Sequence, residues 1–204
     1  MHVCGILKEY YGALQREEKQ INCRDGKVSW IRRGVSFFMR LFIAINFNTE
    51  TCTQLLALRD ELRIRSQRGS FTAPENLHLT LVFLGECDEE QTTAVKKVMS
   101  TINFEPFSIC IDRIGRFRRN GGDIWWAGVH ENKQLLDLQR ELSDKLIAAG
   151  FNLDKREYTP HITLGRRVMT KESPWTIRPF RETVSRIDLM KSERINGKLT
   201  YTAI

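Results

Sequence analysis

The sequence predicts an α+β fold of two pseudo-symmetric lobes, each a mainly antiparallel sheet with outer helices, and a cleft between them. Three observations lead there. The predicted elements run β-α-β-α-β-β-α-β-β-β, with each of two similar strands following a helix. Those strands carry one pattern twice, His78-Leu79-Thr80-Leu81 and His161-Ile162-Thr163-Leu164, and the copies start 83 residues apart. A central hairpin separates them. No shorter period repeats, so a solenoid is excluded.

Taken in order, residues 1–38 read unlike the rest. Gly5, Gly12, Gly26 and Gly34 interrupt them, and a short helix over 10–20 is the one element expected. The pattern changes at Met39, where residues 40–47 are rich in strand formers. The domain is therefore expected to span 39–204, with 1–38 an upstream extension outside it. Asn48 or Thr49 caps a helix over 49–66, whose Leu55, Leu58 and Leu62 recur at helical spacing. Gly69 and Pro74 break it. A strand over 76–84 carries the first motif, and Gly85 closes it. Asp88 caps a second helix over 88–101. Strands over 107–118 and 124–130 flank the turn Asn120-Gly121-Gly122-Asp123. The strongest helical stripe, Leu135, Leu138, Leu142 and Leu146, lies in 131–149 and ends at Gly150. A strand over 158–168 holds the second motif. Pro174 and Pro179 mark a loop, and strands over 180–191 and 198–203 close the chain as a hairpin across Ile195-Asn196-Gly197.

Composition narrows the class. The chain has 204 residues, 41% of them hydrophobic, which suits one compact domain or two lobes sharing a core. No apolar run approaches the ~18–20 residues of a membrane span, and the N-terminus lacks the shape of a signal peptide. A cytoplasmic protein with no membrane contact and no obligate protein partner, a monomer, is expected. The five cysteines are odd in number, contain no CxxC and match no zinc module. The net charge is +7, of which residues 1–38 hold +3. That excess suits an anionic partner such as RNA without requiring one.

On a strand, alternate side chains share a face, so His and Thr of each motif leave together, about 7 Å apart, while the aliphatic pair enters the core. The chain has four histidines and fifteen threonines, and roughly 0.3 His-x-Thr matches are expected by chance. One copy carries little weight; two on similar strands carry much more. Two imidazoles titrating near neutrality can divide the roles of general base and general acid. Threonine hydroxyls can donate to phosphoryl oxygens. No carboxylate cluster suits Mg²⁺, no third zinc ligand is placed by a motif, and no GxxxxGK[ST] occurs. A cofactor-free, metal-free phosphoester reaction fits these residues. Phe42, Phe83, Trp125, Trp126 and Tyr158 are candidates for a face on which a substrate base stacks, and Phe42, which shares a strand face with Ala44 and Asn46, is the ring expected to face the cleft. Arg116, Arg118 and Arg119, beside the Gly121-Gly122 turn, are candidates for steering an RNA backbone.

The paired motifs resemble the signature of the two-histidine phosphoesterase superfamily. Flanking stretches resemble its bacterial and archaeal RNA 2′,3′-cyclic phosphodiesterases, also called 2′-5′ RNA ligases. These stretches are Met39-Arg40-Leu41-Phe42-Ile43-Ala44-Ile45, the run from Pro74 to Gly85 around His78, and Pro160-His161-Ile162-Thr163-Leu164-Gly165-Arg166. The resemblance implies hydrolysis of an RNA 2′,3′-cyclic phosphate to a 2′-phosphate, with 2′-5′ ligation as the same step run with an RNA hydroxyl. It implies that His78 donates a proton, His161 accepts one, and Thr80 and Thr163 bind phosphate oxygens. Arg166 would pair with the phosphate, which requires a bend near Gly165, because strict alternation would point it away from His161. Two other readings stay open: a related enzyme acting on a small cyclic nucleotide or an ADP-ribose cyclic phosphate, and a non-catalytic RNA-binding module. Residues 1–38 have no counterpart in the resemblance, which suggests translation from Met39. A peptide map of natively expressed protein is expected to begin at Met39; peptides from 1–38 would refute that start.

Overall fold

The computed structural model describes residues 38–204 in full and, before them, the backbone of two strands, β1 (Ile21–Arg24) and β2 (Lys27–Trp30), paired antiparallel. Neither strand was expected from the sequence. The helix expected over 10–20 lies outside the described residues, as does Cys4. Met1–Phe37 and Phe38–Ile204 are separate compact units.

The second unit is built on two antiparallel sheets. One takes β3 (Met39–Asn46), β5 (His78–Cys87), β10 (Asp188–Ile195) and β11 (Lys198–Ala203), in the order β11-β10-β3-β5. The other takes β4 (Ser66–Phe71), β6 (Phe107–Phe117), β7 (Asp123–Val129), β8 (His161–Thr170) and β9 (Trp175–Val184), in the order β4-β8-β7-β6-β9. The chain threads between sheets rather than completing one lobe before the other, since β10 returns at the end to pair with β3 and β11 then pairs with β10.

Three helices cover the sheets. Helix α1 (Thr49–Ile64) packs on the five-stranded sheet through buried Leu55 and Leu62. Its Asn48 cap accepts from the Thr51 amide at 2.8 Å. The Asn48 amide in turn donates to the buried carboxylate of Glu182 on β9, placing an anion at the helix N-terminus. Helices α2 (Glu89–Met99) and α3 (Lys133–Ala148) lie against β5 and each other. Asp88 and Gln91 form a capping box at the start of α2. The leucine stripe of α3 is buried along its whole length.

The element order expected from sequence is present, with three differences. Residues after α1 do not form a loop: β4 pairs with β8 despite Gly69. The single strand expected over 180–191 is two strands in different sheets, β9 and β10. Pro179 lies inside β9 because β9 is an edge strand and its register with β6 shifts between Ile111 and Arg113, where no amide is demanded of a proline. Gly85 does not end β5. It adopts φ +83° opposite a register shift, and the strand runs on to Cys87.

One apolar core runs through both layers, from Leu41, Ile43 and Ile45 on β3 to Ile109, Ile111 and Ile114 on β6 and the fully buried Trp125. Cys52, Cys87 and Cys110 form no disulfide. No described helix is long and apolar enough to cross a membrane.

Candidate active site

Each motif strand turns its aliphatic pair inward. Leu79 and Leu81 are 0% and 3% exposed, and Ile162 and Leu164 are fully buried. Parity then directs His78, Thr80, His161 and Thr163 to the opposite face, and all four line one cleft of about 690 Å³. The cleft lies where β5, the edge strand of its sheet, meets β8. One contact reaches across the junction, and a second braces β8 beside it. The Tyr158 hydroxyl donates to the Thr80 carbonyl at 3.0 Å, and the Thr72 hydroxyl donates to the Thr163 carbonyl at 2.8 Å.

The imidazoles are held alike. His78 Nδ1 lies 2.9 Å from the Asn76 carbonyl, and His161 Nδ1 lies 2.7 Å from the Thr159 carbonyl. A carbonyl can only accept, so Nδ1 carries the proton in both rings and Nε2 carries the lone pair when the ring is neutral. His78 Nε2 is 2.9 Å from the Thr80 hydroxyl, which donates to it in the neutral state. Among the described residues, His161 Nε2 has no hydrogen-bond partner. It is the more available base.

Aromatic rings hold each imidazole from the side. His78 sits 4.8 Å from Phe42 and 5.1 Å, edge to face, from Tyr201. His161 sits 4.9 Å from Phe117, edge to face, with Trp126 beyond it. Trp126 in turn occupies a slot left by Gly115, where a Cβ would lie 2.1 Å from its ring. Phe42 is on the cleft face, as its parity predicts, but it is 4% exposed and covered by its neighbours, so its ring backs an imidazole. The ring left open in the cleft is Phe83, at 49% exposure. Trp125 is core.

Arg166 also lines the cleft. The bend that its placement requires is a β-bulge: Trp125 pairs with Gly165 and Trp126 with Thr163, so one extra residue on β8 reverses the parity after Leu164. Its charge acts on both rings. Burial first, then Arg166 and His161, depress His78 to about 4. Burial and then Arg166 also lower His161. At neutral pH the cleft therefore presents two neutral imidazoles beside a cation, an arrangement suited to an anion. Among the described residues, no three His, Cys, Asp or Glu side chains are grouped to hold a metal. Of the hairpin arginines, Arg116 is engaged with Asp123 at 3.4 Å, and Arg118 and Arg119 line a separate shallow recess.

A family model for the 2′-5′ RNA ligase superfamily matches residues 48–196, which include both motifs. The chain belongs to that superfamily. It is 34% identical over 131 residues to an RNA 2′,3′-cyclic phosphodiesterase of Thermotoga maritima, a match covering 63% of this chain and 70% of the relative. The relative of the same name from Escherichia coli is 29% identical over 170 residues, covering 81% and 93%. The crystal structure of E. coli LigT complexed with 3′-AMP superposes with a TM-score of 0.71 at 27% identity, covering 82% of this chain and 96% of that one. A protein of Thermus thermophilus superposes with a TM-score of 0.70 at 25% identity, covering 81% and 95%.

Within this superfamily fold, Asn76, Phe117 and Tyr201 were not foreseen as site residues. Asn76 had only its place two positions before His78 as a local signal, since its burial and its bonds to β11 are set by the fold. Tyr201 and Phe117 had none, since only tertiary pairing carries β11 and the end of β6 to the cleft. The electrostatics give a direct expectation. In Arg166→Ala, both histidine ring pKa values rise, because a cation opposing imidazole protonation is gone. NMR titration of the ring protons checks this, and unchanged titrations would contradict the placement of Arg166.

Proposed function

We propose that this cleft hydrolyses the 2′,3′-cyclic phosphate end of RNA to a 2′-phosphomonoester by two-histidine acid–base catalysis. The observation that carries the reading is the meeting of both His-x-Thr pairs and Arg166 in one cleft, with each ring tautomer fixed by a backbone carbonyl. The relatives' shared name, RNA 2′,3′-cyclic phosphodiesterase, supports the choice of substrate.

The phosphodiester anion enters beside Arg166, and Thr80 and Thr163 donate to its non-bridging oxygens. Its negative charge offsets the arginine field and restores proton affinity to His78. His161 Nε2 removes a proton from water as the oxygen attacks phosphorus. The P–O3′ bond breaks in line, and His78 Nε2–H protonates the departing O3′. The products are a 2′-phosphate and a 3′-hydroxyl. The rings end with exchanged protonation and reset through solvent. Replacing water by an RNA 5′-hydroxyl gives a 2′-5′ linkage through the same transfers. Every group that the step uses comes from one chain, so neither a cofactor nor a protein partner is needed.

An RNA oligomer ending in a 2′,3′-cyclic phosphate tests the proposal. Turnover is expected in excess chelator, with a 2′-phosphate as product. His78→Ala and His161→Ala should each lose at least ~10²-fold in kcat/KM. A 3′-phosphate product, abolition by chelator, or near-normal activity in either variant would contradict it.

A further inference from the structure

We propose that the cleft face of the four-stranded sheet beyond His78 is a subsite for the single-stranded RNA on the 5′ side of the reacting phosphate, with Arg40 and Arg194 meeting backbone phosphates and Phe83 stacking on a base. The proposal rests on the acid role of His78 argued above. In-line displacement puts the attacking oxygen on the His161 side and O3′ on the His78 side. The terminal ribose, and the chain that leads to it, therefore leave the phosphate on the His78 side.

The strands on that side form an ordered track. Phe42 pairs with Phe83 and with Met190; the next row outward pairs Arg40 with Ser192 and Ser192 with Tyr201; the row after pairs Arg194 with Leu199. Successive rows on one face are about 7 Å apart. The cations thus recede from the catalytic rings in steps along the strands, rather than clustering at the phosphate.

Charge is distributed unevenly across the cleft. Besides Arg166, its cations are Arg40, Arg194 and Lys198, all from the four-stranded sheet, and no lining residue is acidic. The facing wall is Ser70, Phe71, Thr72 and Ala73, all neutral. Among the described residues, Arg40 and Arg194 make no ion pair, whereas Lys198 is paired with Glu75. The Arg194 guanidinium is steadied by the Gly197 carbonyl at 2.9 Å. Arg40 lies over the Phe83 ring, 5.1 Å from its centroid, and that ring is half exposed. Exposed cations without carboxylate partners beside an open aromatic ring are the elements by which proteins hold single-stranded nucleic acid. The alternative track, Arg118 and Arg119, lies next to Phe117 on the His161 side, where the attacking oxygen and not the donor strand belongs.

Two double variants, Arg40→Ala/Arg194→Ala and Arg118→Ala/Arg119→Ala, separate the possibilities. Each is assayed on a nucleoside 2′,3′-cyclic monophosphate and on an oligoribonucleotide ending in a 2′,3′-cyclic phosphate. The first variant is expected to lose about tenfold or more in kcat/KM on the oligomer while keeping mononucleotide turnover within about twofold. The logarithmic salt slope on the oligomer should shrink by about 1.4, the value for two single-strand phosphate contacts. The hairpin variant should hydrolyse both substrates normally. Equal losses on both substrates, an undiminished oligomer rate, or a loss confined to the hairpin variant would each overturn the subsite. A wild-type protein inactive on both substrates would instead overturn the hydrolytic reading beneath it.

Discussion

Two hydrogen bonds of the same kind set the chemistry of this protein: Nδ1–H of His78 to the Asn76 carbonyl, and Nδ1–H of His161 to the Thr159 carbonyl. Each ring is pinned by the backbone two residues before it. The carbonyl fixes the tautomer and so aims Nε2 into the cleft. Before His78 that carbonyl comes from the short 3₁₀ turn Pro74–Asn76, where the chain passes into β5. Asn76 also ties this turn to the last strand, since its side chain exchanges hydrogen bonds with the backbone of Leu199 and Tyr201. The acid proposed for catalysis is thus held by a buried amide linking the turn to the chain's last strand.

The two rings are alike in anchoring and unlike in surroundings, and the difference suits opposite tasks. His78 is the more strongly depressed and shares its Nε2 with the Thr80 hydroxyl, whereas His161 Nε2 is open. Arg166 biases both toward neutrality. In the proposed reaction a phosphate anion beside that arginine relieves the bias, so that the proton reaches His78 with the substrate. The β8 bulge is the backbone feature that permits this, because it turns Arg166 into the cleft while Leu164 remains in the core.

Much of this was legible in the sequence because strand parity is a strong constraint. His78 and Thr80, and likewise His161 and Thr163, had to share a face once Leu79, Leu81, Ile162 and Leu164 were assigned to the core. The need for a bend at Gly165 followed from the same parity. What was hidden depended on pairing between distant strands. Residues 66–71 contain Arg68, Gly69 and two serines and show no apolar alternation, and they become β4 only because β8 offers an unpaired edge. The passage from β9 to β10 could not be seen in one run of strand formers, since sheet membership is set by partners and not by composition. Tyr201 reaches His78 for the same reason, through the pairing of β11 with β10. Phe42 was legible as a cleft-face residue but not as a covered one, because cover comes from those same distant rings.

The division of labour between the rings is the centre of the account. Its most direct test is the pH dependence of kcat/KM on a 2′,3′-cyclic phosphate substrate, measured for the wild type, His161→Ala and His78→Ala. A bell is expected for the wild type. Removing the base at His161 should abolish the acid limb and leave the alkaline one. Removing the acid at His78 should abolish the alkaline limb and leave the acid one. Exchange of the two limbs between the variants, or loss of the same limb in both, would contradict the assignment.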